Sequence, residues 1–154
     1  MKKDSITAFT ITKRRLPHWQ LPNSVYFITS RCINGVHLPP EHRDIVMESI
    51  QYQDGKKYAL YAAVILPDHF HLIIQPVEKG KDVYYSLSEI MHGIKSFTAH
   101  KIGKPIWQHE YFDRIIRDEK EFVEKCHYIM KNPIKAGLVE EYNTYKWLFY
   151  VGKE

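Results

Sequence analysis

The stretch Leu66-Pro67-Asp68-His69-Phe70-His71-Leu72-Ile73-Ile74 constrains this chain more than any other. Pro67 and Asp68 turn the backbone, and the residues that follow read as a strand over 69–75. Side chains alternate along a strand, so His69 and His71 share one face while Phe70, Leu72 and Ile74 share the other. A buried strand would then pack its core on one side and display two imidazoles on the other. Neutral imidazole is the commonest protein ligand for a divalent metal, and two on one strand face can share an ion. His-x-His also arises by chance in a chain with nine histidines, and histidines sit in sheets as ordinary hydrogen-bonded residues, so the setting has to decide.

Around that stretch the chain alternates between two periodicities. Val25–Ile33 is rich in β-formers and predicts a first strand, ended by Asn34-Gly35. Pro39-Pro40-Glu41 opens a helix whose stripe is Ile45, Val46, Ser49 and Ile50, closed by Asp54-Gly55. Tyr58–Leu66 predicts the second strand, and residues 69–75 the third. Ser86 and Glu89 form a capping box, after which Leu87, Ile90, Met91, Ile94 and Phe97 recur at helical spacing until Gly103-Lys104-Pro105. A fourth strand is expected around Phe112–Arg117. Asp118 and Glu121 start a last helix, with Val123, Cys126, Ile129 and Met130 as its buried stripe. Asn132-Pro133 is expected to kink or end it, because the residue before proline resists the α region.

The order β-α-β-β-α-β-α predicts an α+β fold, a ferredoxin-like split βαβ sandwich with an appended C-terminal helix. The histidine strand would be central, its imidazoles facing the side the two crossover helices leave uncovered. Residues 1–22, with Lys13-Arg14-Arg15, read as a basic N-terminal arm, 23–140 as the domain, and 141–154 as an aromatic tail packing on it. No repeat of solenoid period appears.

A chain of 154 residues fits one domain with a real core. The net charge of +4 permits a polyanionic partner without requiring one. Aromatic residues make up 14% of the chain, which suits single-stranded nucleic acid, although most rings must still build the core. Cys32 and Cys126 form no C-x-x-C motif, and Met1-Lys2-Lys3-Asp4-Ser5 leads into no apolar signal region. The longest apolar run is too short to span a bilayer. A reduced, cytoplasmic protein with no membrane partner is the expectation.

On the last helix the expected core stripe puts Tyr128 on roughly the opposite side, with Lys125 and Asn132 beside it and Lys135 nearby if the helix passes Pro133. A tyrosine among lysines and an amide is a candidate nucleophile with phosphate-binding neighbours; the plainer alternative is a surface tyrosine under the C-terminal tail. A phenol needs a polarised target, which a divalent metal on His69 and His71 would supply. Asn132 could offer a third ligand through its carbonyl oxygen. Arg31, Lys95, Arg114, Arg117, Lys125 and Lys135 are candidate phosphate contacts for a polyanionic partner, though exposed basic residues are more often only solvated. Tyr111 and Phe112 are candidates for stacking on bases, with core packing the alternative.

His69-Phe70-His71 after Leu66-Pro67-Asp68 resembles the HUH motif, two histidines flanking a hydrophobic residue. Ile106-Trp107-Gln108, Tyr111-Phe112-Asp113-Arg114 and Ile116-Arg117-Asp118 resemble the next segment of REP-associated tyrosine transposases. Tyr128-Ile129-Met130-Lys131-Asn132-Pro133, continued by Lys135-Ala136-Gly137-Leu138-Val139, resembles their catalytic helix. The resemblance runs from about Tyr26 to Val139. It implies a single-tyrosine HUH endonuclease acting on single-stranded DNA that folds into hairpins, dependent on Mg²⁺ or Mn²⁺. It further implies His69 and His71 as metal ligands, Tyr128 as the nucleophile that joins the 5′-phosphate, and Asn132 less directly, since related transposases place a glutamine at that offset. Monomer and homodimer both stay open. The competing expectation is a non-catalytic nucleic-acid-binding module on a ferredoxin-like sheet, which would give no reason for His69, His71 and Tyr128 to converge.

Overall fold

The computed structural model describes residues 16, 17, 19 and 23–153. The basic triplet Lys13-Arg14-Arg15 lies outside the described residues. Strand β1 (Val25–Cys32) leads to helix α1 (Pro40–Tyr52), then β2 (Tyr58–Ile65) and β3 (His69–Pro76). A small ribbon of β4 (Glu78–Gly80) and β5 (Val83–Tyr84) precedes helix α2 (Leu87–Ile102). Strand β6 (Trp107–Ile116), helix α3 (Glu119–Lys135), a 3₁₀ turn (Tyr142–Thr144) and strand β7 (Leu148–Tyr150) complete the chain. Five of the strands form one sheet in the order β6-β1-β3-β2-β7, with every neighbouring pair antiparallel, while β4 and β5 pair separately.

The helices begin and end where local chemistry allows. Pro40 occupies the first turn of α1, where its missing N–H costs no bond. Both arms of the Ser86–Glu89 capping box close at the start of α2, and Gly103 ends it in the left-handed region (φ 98°), its N–H donating to the Ala99 carbonyl. Asp118 caps α3 by accepting from the Glu121 N–H at 2.8 Å. The Glu121 carboxylate does not complete a box on Asp118. It accepts instead from the Arg117 N–H and from the Arg114 guanidinium, tying the first turn of α3 to β6.

Two apolar layers sandwich the sheet. Phe70, Leu72 and Ile74 of β3 pack with Val46, Ile50, Ile90 and Ile94 of α1 and α2. Ile73, on the other face, packs with Phe122, Cys126 and Ile129 of α3. Leu16 and Trp19 also pack on that second layer, Trp19 meeting Phe122 edge-on.

Several elements differ from the sequence expectation. The fourth strand starts at Trp107 rather than near Phe112, because it is an edge strand whose Gln108, His109 and Glu110 face solvent and carry no β-forming signal. Residues 148–150 pair with β2 as a fifth strand, and the buried Tyr145 hydroxyl donates to the Ile65 carbonyl. Phe97, expected in the core, is exposed. On α3 the expected Cys126, Ile129 and Met130 are fully buried, but they are joined by Phe122 rather than Val123. Finally, α3 runs through Pro133 without ending there. Pro133 sits in the last turn, so it removes a single helical N–H, and the Ala136 and Leu138 amides still bond the Asn132 and Pro133 carbonyls.

Candidate active site

The antiparallel register places His71 at the middle of the sheet, opposite Thr29 of β1 and Val64 of β2. Because strand faces alternate, both histidines fall on the face that α3 shares, and the crossover helices cover the other. His71 is nearly fully buried. Its Nδ1 lies 2.8 Å from the Thr29 hydroxyl, and the Phe27 ring stacks on it at 5.3 Å. Burial drives its pKa down to about 3, and the positive potential of His69, Arg31 and Lys125 adds to the shift, so the ring is neutral at physiological pH. Its Nε2 is buried without a hydrogen-bond partner. Such an atom is costly in a finished core and is the kind of lone pair a cation would use.

His69 stands 4.9 Å from His71, ring centre to ring centre, at 80°. Its Nδ1 lies 2.7 Å from an Asp68 carboxylate oxygen, and that hydrogen bond holds the Asp68 carboxyl below the usual range. A carboxylate can only accept, so Nδ1 carries a proton, and in the neutral ring Nε2 keeps its lone pair. The two imidazoles thus share one design: Nδ1 anchored to a neighbour and Nε2 available, as in metal sites where an outer partner orients the ligand. Among the described residues no group of three or more His, Cys, Asp or Glu side chains is arranged to hold a metal. A cation here would therefore have two imidazole ligands and leave the rest of its coordination to other oxygens.

Helix α3 brings Tyr128 to this pair. The helix packs over β2 and β3 through Phe122, Cys126 and Ile129, which sets Tyr128 on its flank, beside the part of the sheet it leaves open. The ring centre lies 5.4 Å from His71 and 5.8 Å from Phe27, and the residue is 41% exposed. A helical wheel puts Tyr128 opposite the core and hence away from the sheet. The ring instead lies against the sheet, because α3 packs chiefly over β2 and β3 and a long side chain reaches sideways to Phe27 of β1. The ammonium groups of Lys125 and Lys135 lie 5.7 and 5.9 Å from its ring centre, and Lys125 also caps the Phe27 ring at 5.1 Å.

The remaining candidates divide by location. Asn132 follows Tyr128 by one helical turn and is 8% exposed; the uninterrupted helix, rather than a kink at Pro133, sets its place. Arg31 lies opposite His69 in the β1–β3 register and is exposed beside the pair. Arg114 is engaged by Glu121, and Arg117 is exposed just beyond β6. Lys95 is elsewhere: it donates to the His109 carbonyl from α2, on the sheet face away from the histidines. Sequence reasoning did not single out Thr29 and Phe27. Only the strand register reveals them; Asp68 entered the sequence reading only as a turn residue, although its adjacency to His69 was a signal for the contact.

No family model matches the chain. It is 33% identical over 93 residues to the REP-associated tyrosine transposase of Escherichia coli (strain K12), covering 60% of this chain and 54% of that protein. It is 29% identical over 90 residues to a putative REP-associated tyrosine transposase of Haemophilus influenzae, covering 51% of each. The matches thus span about half the length of these two curated relatives. An uncharacterised H. influenzae protein is 30% identical over 158 aligned positions, covering 78% of this chain and 86% of that one. Among solved structures, a REP-associated tyrosine transposase bound to a REP hairpin superposes with a TM-score of 0.71 at 22% identity, over 90% of this chain and 82% of the other, so the two share a fold.

Proposed function

We propose that this chain, a relative of the REP-associated tyrosine transposases, cuts and rejoins single-stranded, hairpin-forming DNA through a covalent tyrosine intermediate. We read its β6-β1-β3-β2 core, with α1 and α2 on one face, as a ferredoxin-like split βαβ sandwich to which α3 is appended. The observation that carries the proposal is the meeting of Tyr128 with the His69–His71 pair, joined from two elements far apart in sequence.

In this reading the Tyr128 oxygen attacks a backbone phosphorus. A P–O bond to the phenol forms, the bond to the 3′-oxygen breaks, and the leaving strand takes up a proton as its 3′-hydroxyl. The phenol proton leaves to water, which reaches the partly exposed ring. Lys125 and Lys135 supply positive charge where the phosphate would lie. The reverse attack by a 3′-hydroxyl reseals the strand. A divalent cation, Mg²⁺ or Mn²⁺, fits the two Nε2 atoms, the orphaned one of His71 above all, with Asn132 as a candidate oxygen ligand. When bound it would polarise the phosphate and neutralise charge built up in the displacement. Asp68 accepts from the His69 Nδ1, which leaves Nε2 as the acceptor of the neutral ring, and the Thr29 hydroxyl, able to accept or donate, anchors the His71 Nδ1. Arg31, Arg114 and Arg117 are proposed phosphate contacts on the same side.

The test is incubation with hairpin-bearing single-stranded oligonucleotides and Mn²⁺, followed by a denaturing gel. A covalent protein–DNA band is expected, lost in Tyr128→Phe with DNA binding retained, and lost in His69→Ala together with the metal response. Cleavage that survives Tyr128→Phe rejects the nucleophile. DNA binding with no covalent band under any metal leaves the non-catalytic binding module as the function.

A further inference from the structure

Phe112 is the most exposed large apolar side chain among the described residues, at 69%. Exposure alone says little, since single apolar residues on a surface are normal. Position says more. Phe112 of β6 pairs with Thr29 of β1, and Thr29 pairs with His71 of β3. Residues directly opposite each other in antiparallel pairs share a face. The contact between the Thr29 and His71 side chains identifies that face as the one carrying the imidazoles. Phe112, Thr29 and His71 therefore form one row across the sheet, with Phe112 two strand spacings, or about 10 Å, from His71. The other aromatic residues of β6 do different work. Tyr111 faces the opposite side, packing on the core beneath α1 and α2 with the Lys95 ammonium over its ring, and Trp107 is buried with its indole N–H on Thr98.

The surface between Phe112 and Tyr128 is cationic. Arg31 projects from β1 next to the row, and Lys125 and Lys135 flank the tyrosine. Arg114 shares the face with Phe112 and is braced by Glu121. A basic track ending at an uncovered ring is the combination that holds single-stranded nucleic acid, with cations following the backbone and a ring taking a base.

We infer that Phe112 is a stacking platform for a nucleobase, holding an unpaired base of the DNA strand whose phosphate lies at Tyr128. The inference rests on the reading above for the identity of the strand. It adds a binding site on the edge strand: the row Phe112–Thr29–His71 lines a track along which the unpaired strand crosses the sheet towards the imidazoles. Stacking is tolerant of base identity, so Phe112 sets position along the strand rather than sequence.

The experiment uses the full chain and hairpin oligonucleotides carrying 2-aminopurine at successive unpaired positions. One position is expected to show stacking-quenched fluorescence on binding. Phe112→Ala should abolish that quenching and weaken binding about 5- to 100-fold. Phe112→Tyr should restore both, while Phe112→Leu, apolar but without a π-face, should not. Unchanged affinity and quenching in Phe112→Ala would overturn the inference, as would full rescue by leucine. So would a gel-filtration dimer of the parent chain that Phe112→Ala dissociates while each chain binds DNA as before. If no variant or parent forms a covalent adduct, yet Phe112→Ala still loses quenching, the cleavage reading fails and the stacking site stands. If adducts form normally and quenching never depends on Phe112, the reverse holds.

Discussion

The Thr29 hydroxyl and the His71 Nδ1 meet 2.8 Å apart across the β1–β3 pair, both side chains nearly excluded from water. The hydroxyl can accept from Nδ1 or donate to it, and when it accepts, Nε2 is the acceptor nitrogen of the neutral ring, the form that metal binding needs. Thr29→Val keeps the shape and removes the oxygen. The variant should lose about 1–3 kcal/mol of stability in urea unfolding, because the His71 Nδ1 is then buried unpaired. Mn²⁺ affinity by calorimetry should fall roughly 10- to 100-fold. Asp68→Asn should cost less stability, since the Asp68 side chain is largely exposed and water can replace it. Equal metal affinity in Thr29→Val and the parent would show that His71 does not need this anchor.

Glu121 couples α3 to β6, and with it the tyrosine to the sheet. The Arg114 guanidinium, first, and the Arg117 N–H hold its carboxyl below the ordinary carboxylate range against a smaller opposing effect of burial. A depressed folded pKa means stability present above the unfolded pKa and lost as pH falls through the folded one. Glu121→Gln should therefore cost about 0.2–1 kcal/mol at pH 7. The gap to the parent should close as pH drops below about 4.5, the carboxyl's ordinary value. Thermal melts at pH 7, 5 and 3 measure this, and a gap that widens with acid contradicts it.

Phe122 is the apolar anchor of α3, fully buried and edge-on to Tyr61 at 5.4 Å. Phe122→Ala should destabilise the fold by about 3–5 kcal/mol, the lost transfer energy plus the cavity left behind. Tyr128→Phe, on the same helix but partly exposed, should shift the urea midpoint little. Comparable losses in the two variants would mean that Tyr128 helps hold the helix down.

The two thiols should be silent in the folded protein. Burial pushes both Cys32 and Cys126 up to about 12, with the Asp68 charge adding to the effect at Cys32. Neither forms a thiolate at neutral pH, so Ellman's reagent at pH 8 should react only as the chain unfolds in urea, then with two equivalents. Rapid reaction of either thiol in buffer would indicate local opening of its layer.

Much of this was visible in the chain because short-range chemistry dictates it. Period-2 alternation put His69 and His71 on one face, and the Ser86–Glu89 box and Gly103 bounded α2 close to where they should. The motif order Leu66–Ile74, Ile106–Asp118, Tyr128–Val139 pointed to the REP-associated transposases, and curated relatives carry that name. Local signals failed where pairing or packing outweighs them. An exposed edge strand needs no β-formers, so β6 was read several residues short. Pro133 breaks a helix mid-span but not in its last turn.

What the residues determined alone was which chemistry-bearing groups exist and which element carries each one, since spacing along a strand or helix is set by backbone geometry. Which groups meet was decided by tertiary structure. Thr29 reaches His71 only through the β1–β3 register, and Tyr128 reaches it because Phe122, Cys126 and Ile129 seat α3 over β2 and β3 with the tyrosine on its flank. Those contacts link residues 42 and 57 positions apart, and no local propensity acts over that range. Only the burial of two apolar layers against one sheet brings them together.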